Sequence, residues 1–252
     1  MTQRTGEKLK RSLGLARSLI IYRRPGRQKS LRALYRPLVK EGDLVFDLGA
    51  HLGDRTVAFV ALGARVVAVE PNPDMMRWLR RLVFSREQIV FLAEAVGSRP
   101  GQAEMGLSYG TPTVSSLSSD WRTTLKNHAP GFRNVQWEQR ITVPVTTLDE
   151  MVARFGVPDF CKIDVEGFEA DVLAGLTCPI AALSFEFVSG ALAQALRCLA
   201  ELERLGKYEF NAIAGERRRL LWSSWQSPEQ IRRWLAEGAG GIASGDIYAR
   251  LI

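Results

Sequence analysis

The chain has 252 residues, of which 46% are hydrophobic and 24% are charged, which fits one α/β domain of about 200 residues with a terminal extension. No run approaches the roughly 20 apolar residues of a membrane span, and the start lacks the apolar core of a secretory signal, so we expect a cytoplasmic protein. Three cysteines without C-x-x-C spacing argue against disulfides and a zinc site.

The positive charge is concentrated at the start of the chain. Residues 1–40 contain twelve Lys or Arg and one acid, Glu7, which gives this segment a net charge of +11. Because the whole chain has a net charge of +7, residues 41–252 have a net charge of −4. A mildly acidic body argues against a nucleic-acid enzyme. Apolar residues from Leu9 to Ile20 recur at helical spacing. We predict a basic helical extension over 1–40 that is either a solvated cap helix or a peripheral contact with an anionic, inner membrane surface.

Residues 41–252 form the second predicted unit, a catalytic domain that opens with alternating strands and helices. Strands are predicted at about 44–48, 65–69, 88–97 and 101–108, and helices at about 53–62 and 73–84. Such alternation predicts a mostly parallel sheet with helices on both faces.

Residues 108–140 are predicted to form a lid or substrate loop. This stretch is rich in Ser, Thr, Gly and Pro, yet it carries Trp121, His128 and Phe132. A loop of this length without periodicity is typically functional.

Regular elements are predicted to resume after the loop. "ITVPVTTLDEMVARF", "DFCKIDVEGFEADVLAGL" and "ALSFEFV" indicate further strands with intervening helices, and Gly206 ends a periodic helix. "KYEFNAIAG" and "RRRLLWSSW" resemble a hairpin. Ser227, Pro228 and Gln230 form the capping signature of a helix, and the last residues are predicted to complete the sheet.

The motif "VFDLGAHLGDRT" carries the strongest signal for a ligand. A dinucleotide site has G-x-G-x-x-G, whereas here Asp47, Gly49 and Gly53 give D-x-G-x-x-x-G. A carboxylate beside a pyrophosphate is unfavourable, but it suits the cationic amine of S-adenosylmethionine. We therefore predict a site for S-adenosylmethionine rather than NAD, in which Ala50 and His51 belong to the cofactor loop.

Acids also follow the next two strands. Glu70 ends the second strand, 23 residues after Asp47, where a carboxylate can accept hydrogen bonds from ribose hydroxyls. Asn72 follows it, and Glu94 or Ala95 is placed to face the adenine. NAD enzymes also have an acid that binds the ribose, so Glu70 distinguishes a site for S-adenosylmethionine from one for NAD only together with Asp47.

Asp164 and Glu166 in "KIDVEG" are the catalytic candidates. They lie two apart at a strand end before Gly167, so both carboxylates face the same side, and either could take a proton from an acceptor hydroxyl. The alternative is that Asp164 positions the cofactor and Glu166 caps a helix.

No third oxygen ligand is evident, so no metal is predicted. Glu186 could contact substrate, and His51 and His128 are expected to be structural.

Together with "VVAVEPNP", "AEAVG", "SSL" and "TLDEM", these motifs resemble the FkbM family of S-adenosylmethionine-dependent methyltransferases over about residues 40–190. The resemblance implies a class I methyltransferase fold, with a mostly parallel seven-stranded sheet that has an antiparallel edge strand. It also implies O-methylation of a hydroxyl on a sugar, glycan or glycosylated metabolite, with Asp47, Gly49, Gly53 and Glu70 at the cofactor and Asp164 and Glu166 at the reaction centre.

Other functions remain as alternatives. A class I methyltransferase acting on RNA, protein or lipid is the second possibility, and a phosphate-binding oxidoreductase or a non-catalytic binding module are the others. The sequence does not indicate an oligomeric state.

Overall fold

The computed structural model describes residues 26–83, 86–108, 115–118, 123 and 135–252. Residues 1–25 of the basic extension lie outside this part of the chain, as does most of the 108–140 loop, including His128.

Ten strands and seven α-helices cover most of the described chain. The helices are α1 (Arg27–Tyr35), α2 (Asp54–Val60), α3 (Pro73–Leu82), α4 (Leu148–Phe155), α5 (Glu169–Ala174), α6 (Leu192–Leu205) and α7 (Pro228–Ala236). The strands are β1 (Leu44–Leu48), β2 (Arg65–Val69), β3 (Ile89–Leu92), β4 (Ala95–Val96), β5 (Gly101–Leu107), β6 (Gln139–Thr146), β7 (Phe160–Ile163), β8 (Ala182–Val188), β9 (Tyr208–Ala214) and β10 (Ser244–Leu251).

The predicted seven-stranded, mostly parallel sheet is confirmed, with strand order β3-β2-β1-β7-β8-β10-β9. Strand β10 pairs antiparallel with both β8 and β9, so the one antiparallel strand lies second from the edge. From β1 the chain adds β2 and β3 on one side of the sheet and the later strands, beginning with β7, on the other side. Strands β1 and β7 are parallel neighbours. In such sheets the crevice at the carboxyl ends of these two neighbouring strands is the usual ligand site.

Two sequence predictions of strands need correction. The third predicted strand, about 88–97, is split: β3 ends at Leu92, and β4 belongs to a separate three-stranded sheet of order β4-β6-β5. "RRRLLWSSW" forms no named strand, but it returns antiparallel beside β9: Leu220 makes an isolated bridge with Ile213, and the Leu221 N–H donates to the Ala212 carbonyl. Arg218 of the same segment donates to Ser30 of α1.

Three helices begin at residues whose side chains cap them. The Asn72 carboxamide accepts from the Asp74 and Met75 backbone N–H groups ahead of α3. Thr147 begins α4, and Ser227 begins α7 with the capping box predicted from Ser227 and Gln230. Each cap satisfies backbone N–H groups that have no partner within the helix, and this fixes where the helix starts.

The sheet has a hydrophobic core on each face. Residues of α4, α5, α6 and α7 pack on one face around Phe46 and Phe185. Residues of α1, α2 and α3 pack on the other face around Phe59 and Phe160. Apolar side chains from both faces of the central strands are therefore removed from water, as expected for a parallel sheet between two helical layers.

Helix α1 lies within the basic segment predicted as an extension, yet it packs into the domain. Leu31 and Tyr35 are each 1% exposed, and the Tyr35 ring contacts Phe59 and Phe160. At the start of the helix, Arg27 Nε donates to Asp54 Oδ2 at 2.5 Å, and both side chains are buried. Residues 27–35 are thus part of the second core.

No helix in the described ranges is both long and apolar enough to span a bilayer. Cys161, Cys178 and Cys198 are free thiols.

We expect Leu31→Ala to lower the free energy of unfolding by about 2–5 kcal/mol, because it leaves a cavity between α1 and the sheet. Lys29→Ala, on the exposed side of the same helix, is the matched control and should change it by no more than about 0.5 kcal/mol. Urea unfolding followed by circular dichroism measures both. Equal, small changes would show that α1 is not docked on the domain.

Candidate active site

A cleft opens at the carboxyl ends of β1, β2 and β7, with about 680 Å³ of space that includes open solvent at its mouth. Polar residues in its wall are Gly49, His51, Glu70, Glu94, Asp164 and Glu166, and the rest of the wall is largely apolar: Leu48, Val69, Pro71, Ala95, Val96, Met105, Leu117 and Val165.

The turn after β1 is held close to β7. Gly49 has φ 74°, and a Cβ at this position would lie 1.8 Å from the carbonyl oxygen of Asp164. The backbone N–H groups of Gly49 and Ala50 both donate to the carbonyl of Val69 in β2. A glycine is required at position 49 because the chain turns in the left-handed region against the backbone of the neighbouring strand.

His51 also has a positive φ, 51°, which is uncommon for a side chain other than glycine. Its backbone N–H donates to Glu70 Oε2 at 3.0 Å, which ties the turn to the end of β2. Burial lowers the pKa of the imidazole to about 4, because it disfavours the charged form. His51 is therefore neutral at pH 7.

Glu70 presents a buried carboxylate to the cleft. Its oxygens accept from the backbone N–H groups of His51 and Asn72, at 3.0 and 2.8 Å. Burial raises the pKa of Glu70 to about 7, against the lowering effect of these two hydrogen bonds. Each oxygen retains a lone pair that could accept from a ligand hydroxyl.

Glu94 and Ala95 both line the cleft, and their contact with an adenine stays a prediction. Glu94 forms an ion pair with Arg154 of α4 at 3.3 Å. Ala95 is buried, and with Val96 and Met105 it contributes apolar surface to the cleft.

Lys162, one residue before the end of β7, is a buried cation behind the cleft. Its Nζ lies 2.9 Å from Asp164 Oδ2 and 3.8 Å from Asp47 Oδ1. Burial alone would lower the pKa of Lys162, but Asp164 and Asp47 outweigh it and raise that pKa above its usual range. The ammonium therefore stays charged and pairs most closely with Asp164, while Asp47 lies further away.

Four of the predicted cofactor residues lie beside the cleft and not in its wall. Asp47 is fully buried and accepts from Thr56 Oγ1 at 2.5 Å. Ala50 is buried in the core, and Asn72 caps α3. A Cβ on Gly53 would lie 2.6 Å from Leu79 and Val83 side chains, so helix packing explains this glycine.

The turn after β7 directs Glu166 towards the cleft. Glu166 and Gly167 have φ values of 57° and 88°. The buried carboxylate of Glu169 accepts from the backbone N–H groups of Val165 and Gly167, and Ser116 Oγ donates to the Glu166 carbonyl at 2.6 Å. The "SSL" segment of the predicted lid therefore rests on this turn, and its Leu117 lines the cleft.

A third carboxylate, Glu186 of β8, lies next to Asp164 and Glu166. One oxygen from each of the three lies within 4.8 Å of the other two. Such spacing could suit a cation, but Lys162 already supplies a positive charge to Asp164, and we assign no metal here. Strand pairing of Ile163 with Phe185 places Asp164 and Glu186 side by side.

Sequence reasoning gave no role to Lys162 and only a conditional one to Glu186. A lysine inside the apolar strand "FCKI" was the available signal, because a cation buried in a strand requires a buried partner. The position of Glu186 depends on strand order, which spacing along the chain does not reveal.

Comparison with known proteins gives a family match over most of the chain. Residues 47–238 match the profile described as "Methyltransferase FkbM domain". The chain is 30% identical over 165 residues to the hexuronic acid methyltransferase AglP of Haloferax volcanii, covering 65% of this chain and 62% of that protein. It is 41% identical over 76 residues to ribosomal RNA small subunit methyltransferase A of Anaeromyxobacter dehalogenans, covering 30% of this chain and 26% of that protein.

Among solved structures, a TehB-like SAM-dependent methyltransferase from Corynebacterium glutamicum is similar with a TM-score of 0.45 and 12% identity, covering 88% of each chain. The chain thus spans less than two thirds of the length of the curated relatives named above.

Glu70→Gln should weaken binding of S-adenosylhomocysteine roughly tenfold to a hundredfold, because a charged acceptor for two hydroxyls is lost. In the unaltered protein, affinity should rise from pH 6 to pH 8 as Glu70 ionises around its pKa of about 7, and the variant should lack this rise. Titration calorimetry at several pH values measures both. Glu104→Gln, a surface carboxylate on β5, is the control, and an unchanged affinity in Glu70→Gln would remove Glu70 from the cofactor site.

Proposed function

The chain belongs to the FkbM family of S-adenosylmethionine-dependent methyltransferases, and from that premise we propose that it methylates an oxygen atom, specifically a hydroxyl of a sugar, glycan or glycosylated metabolite. The observation that most directly supports oxygen as acceptor is the group of carboxylates beside the cofactor cleft.

The cleft suits the two ends of the cofactor. We propose that Glu70 holds the ribose hydroxyls and that the apolar end near Ala95 and Met105 holds the adenine. The acidic end at Asp164 and Glu166 then faces the cationic part of the cofactor, since opposite charges attract strongly where water is partly excluded. When bound, S-adenosylmethionine supplies an electrophilic methyl group on a sulfonium.

The two catalytic candidates differ in their surroundings. Burial would raise the pKa of Asp164, but Lys162 and then Arg55 outweigh it and lower that pKa, which makes Asp164 a weak base. Burial, Asp164 and Glu169 all raise the pKa of Glu166, and its carboxyl has no hydrogen-bond partner within the described ranges. We therefore propose Glu166 as the base that takes the acceptor proton, with Asp164 positioned by Lys162.

The acceptor class is suggested by chemistry and by one relative. The name of the Haloferax volcanii relative specifies a hexuronic acid, a sugar that offers both hydroxyl and carboxylate oxygens. Asp164, Glu166 and Glu186 would repel an anionic oxygen, which favours a hydroxyl. The same charges disfavour RNA, the alternative that the short matches to ribosomal RNA methyltransferases raise, because its phosphates would approach an acidic surface.

Transfer of a radiolabelled methyl group to fractionated glycans, lipids, RNA and small metabolites tests this function. Label in the glycan fraction that survives mild alkali would support a methyl ether on a hydroxyl. Label released by alkali would indicate a methyl ester on a uronic carboxylate, and label in RNA alone would contradict a sugar acceptor.

Glu166→Gln is expected to lower kcat by about 10²–10⁴-fold, the usual contribution of a general base, while its affinity for S-adenosylhomocysteine stays within a few-fold of the unaltered protein. Asp164→Asn, which leaves Lys162 without its closest partner, should instead weaken cofactor binding as well. Steady-state kinetics and calorimetry separate the two effects. Normal turnover in both variants would exclude either residue as the base.

A further inference from the structure

Glu186, on strand β8, is a carboxyl neighbour of Glu166. Oxygens of the two side chains lie within 4.8 Å of each other, although the residues are on β8 and on the turn after β7. Neither carboxyl has a hydrogen-bond donor among the residues that the structure describes. Both are partly buried, so water screens their mutual repulsion less than at an open surface.

The surroundings do not neutralise this pair. The Lys162 ammonium forms ion pairs with Asp164 and Asp47. Four titratable groups face the pair: Lys162 in β7, Asp164 just after β7, Glu169 in α5 and Asp246 in β10. Arg55 and His51 act on Asp164, which in turn acts on the pair. Acids outnumber cations here, so two further full negative charges are unfavourable, and one proton shared by two carboxyls relieves the repulsion.

We propose that Glu166 and Glu186 act as one carboxyl pair that holds a single proton near neutral pH, in which Glu186 tunes Glu166 as the proton acceptor. This rests on the proposed function, in which Glu166 is the base. Glu186 is thus a positioning residue that acts through its neighbour. Burial, Glu166 and Asp164 all raise the pKa of Glu186, in agreement with such sharing.

The pair would match the base to its working pH. A carboxylate with an ordinary pKa is ionised at pH 7 but takes up a proton weakly, whereas a base whose pKa lies near the working pH does both. In the reaction, the acceptor's oxygen–hydrogen bond breaks and its proton passes to Glu166 of the ionised pair, which then shares that proton with Glu186. The oxygen's electron pair forms the bond to the methyl carbon, and sulfur keeps the electrons of the bond that breaks.

Glu186→Gln should shift the acid limb of the kcat–pH profile to lower pH by about one unit, because removing a charge within about 5 Å lowers the pKa of the remaining carboxyl. Glu104→Gln, which removes an exposed carboxylate, should leave the profile in place. A Glu186→Gln profile that coincides with that of the unaltered protein would overturn the pairing, even if kcat itself falls.

A second readout does not require turnover. Carbon-13 NMR of the full chain with labelled glutamate side chains should show the Glu166 carboxyl, assigned from its loss in Glu166→Gln, titrating at lower pH in Glu186→Gln. If no acceptor is ever methylated but this shift occurs, the pairing stands and the proposed function fails. If chelation abolishes a measured activity and Mg²⁺ restores it, the carboxyls bind a cation and the shared proton is wrong.

Discussion

One buried ammonium connects the two strands on which the cofactor cleft depends. Lys162 Nζ lies between Asp47 of β1 and Asp164 at the end of β7, at 3.8 and 2.9 Å. Asp47 is buried and Asp164 is partly buried, so this nearby cation stabilises both carboxylates. Strands β1 and β7 are the neighbours between which the strand order of the sheet changes direction. At this place Gly49 allows the chain to turn after β1 in close contact with the backbone of Asp164. The contact of Lys162 with Asp47 and Asp164 therefore accounts both for the position of the cleft and for the charge of Asp164.

This arrangement divides the acidic residues into two chemical groups. Asp164 pairs with Lys162, which lowers the pKa of Asp164, and Asp47 lies 3.8 Å from the same ammonium. Among the described residues, Glu166 and Glu186 form no ion pair with a cation, and we propose that they share a proton. The cleft is lined by apolar residues such as Ala95 and Met105 and by acidic residues such as Glu166, and we propose that the apolar residues hold the aromatic base of the ligand and the acidic residues face its positive charge.

The sequence was sufficient for the features that depend on local pattern. Apolar runs ending in Asp47, Glu70 and Asp164 predicted strand ends at the crevice, and Ser227 with Gln230 predicted the start of a helix. Features that depend on tertiary neighbours were missed or misread. Glu186 faces Glu166 only because β8 lies beside β7 in a particular register, and the requirement for Gly53 comes from the helix packed against it. The expected hairpin is reduced to isolated antiparallel bridges with β9, and the contact of Arg218 with α1 could not be predicted from the alternation of apolar and polar residues.

If these charges select a cationic, phosphate-free ligand, titration calorimetry of the full chain should distinguish S-adenosylmethionine from NAD. S-adenosylmethionine should bind at one site per chain, and NAD should give no measurable binding, because its pyrophosphate would lie against the acidic residues of the cleft. Saturable binding of NAD, with none of S-adenosylmethionine or S-adenosylhomocysteine, would contradict this selectivity.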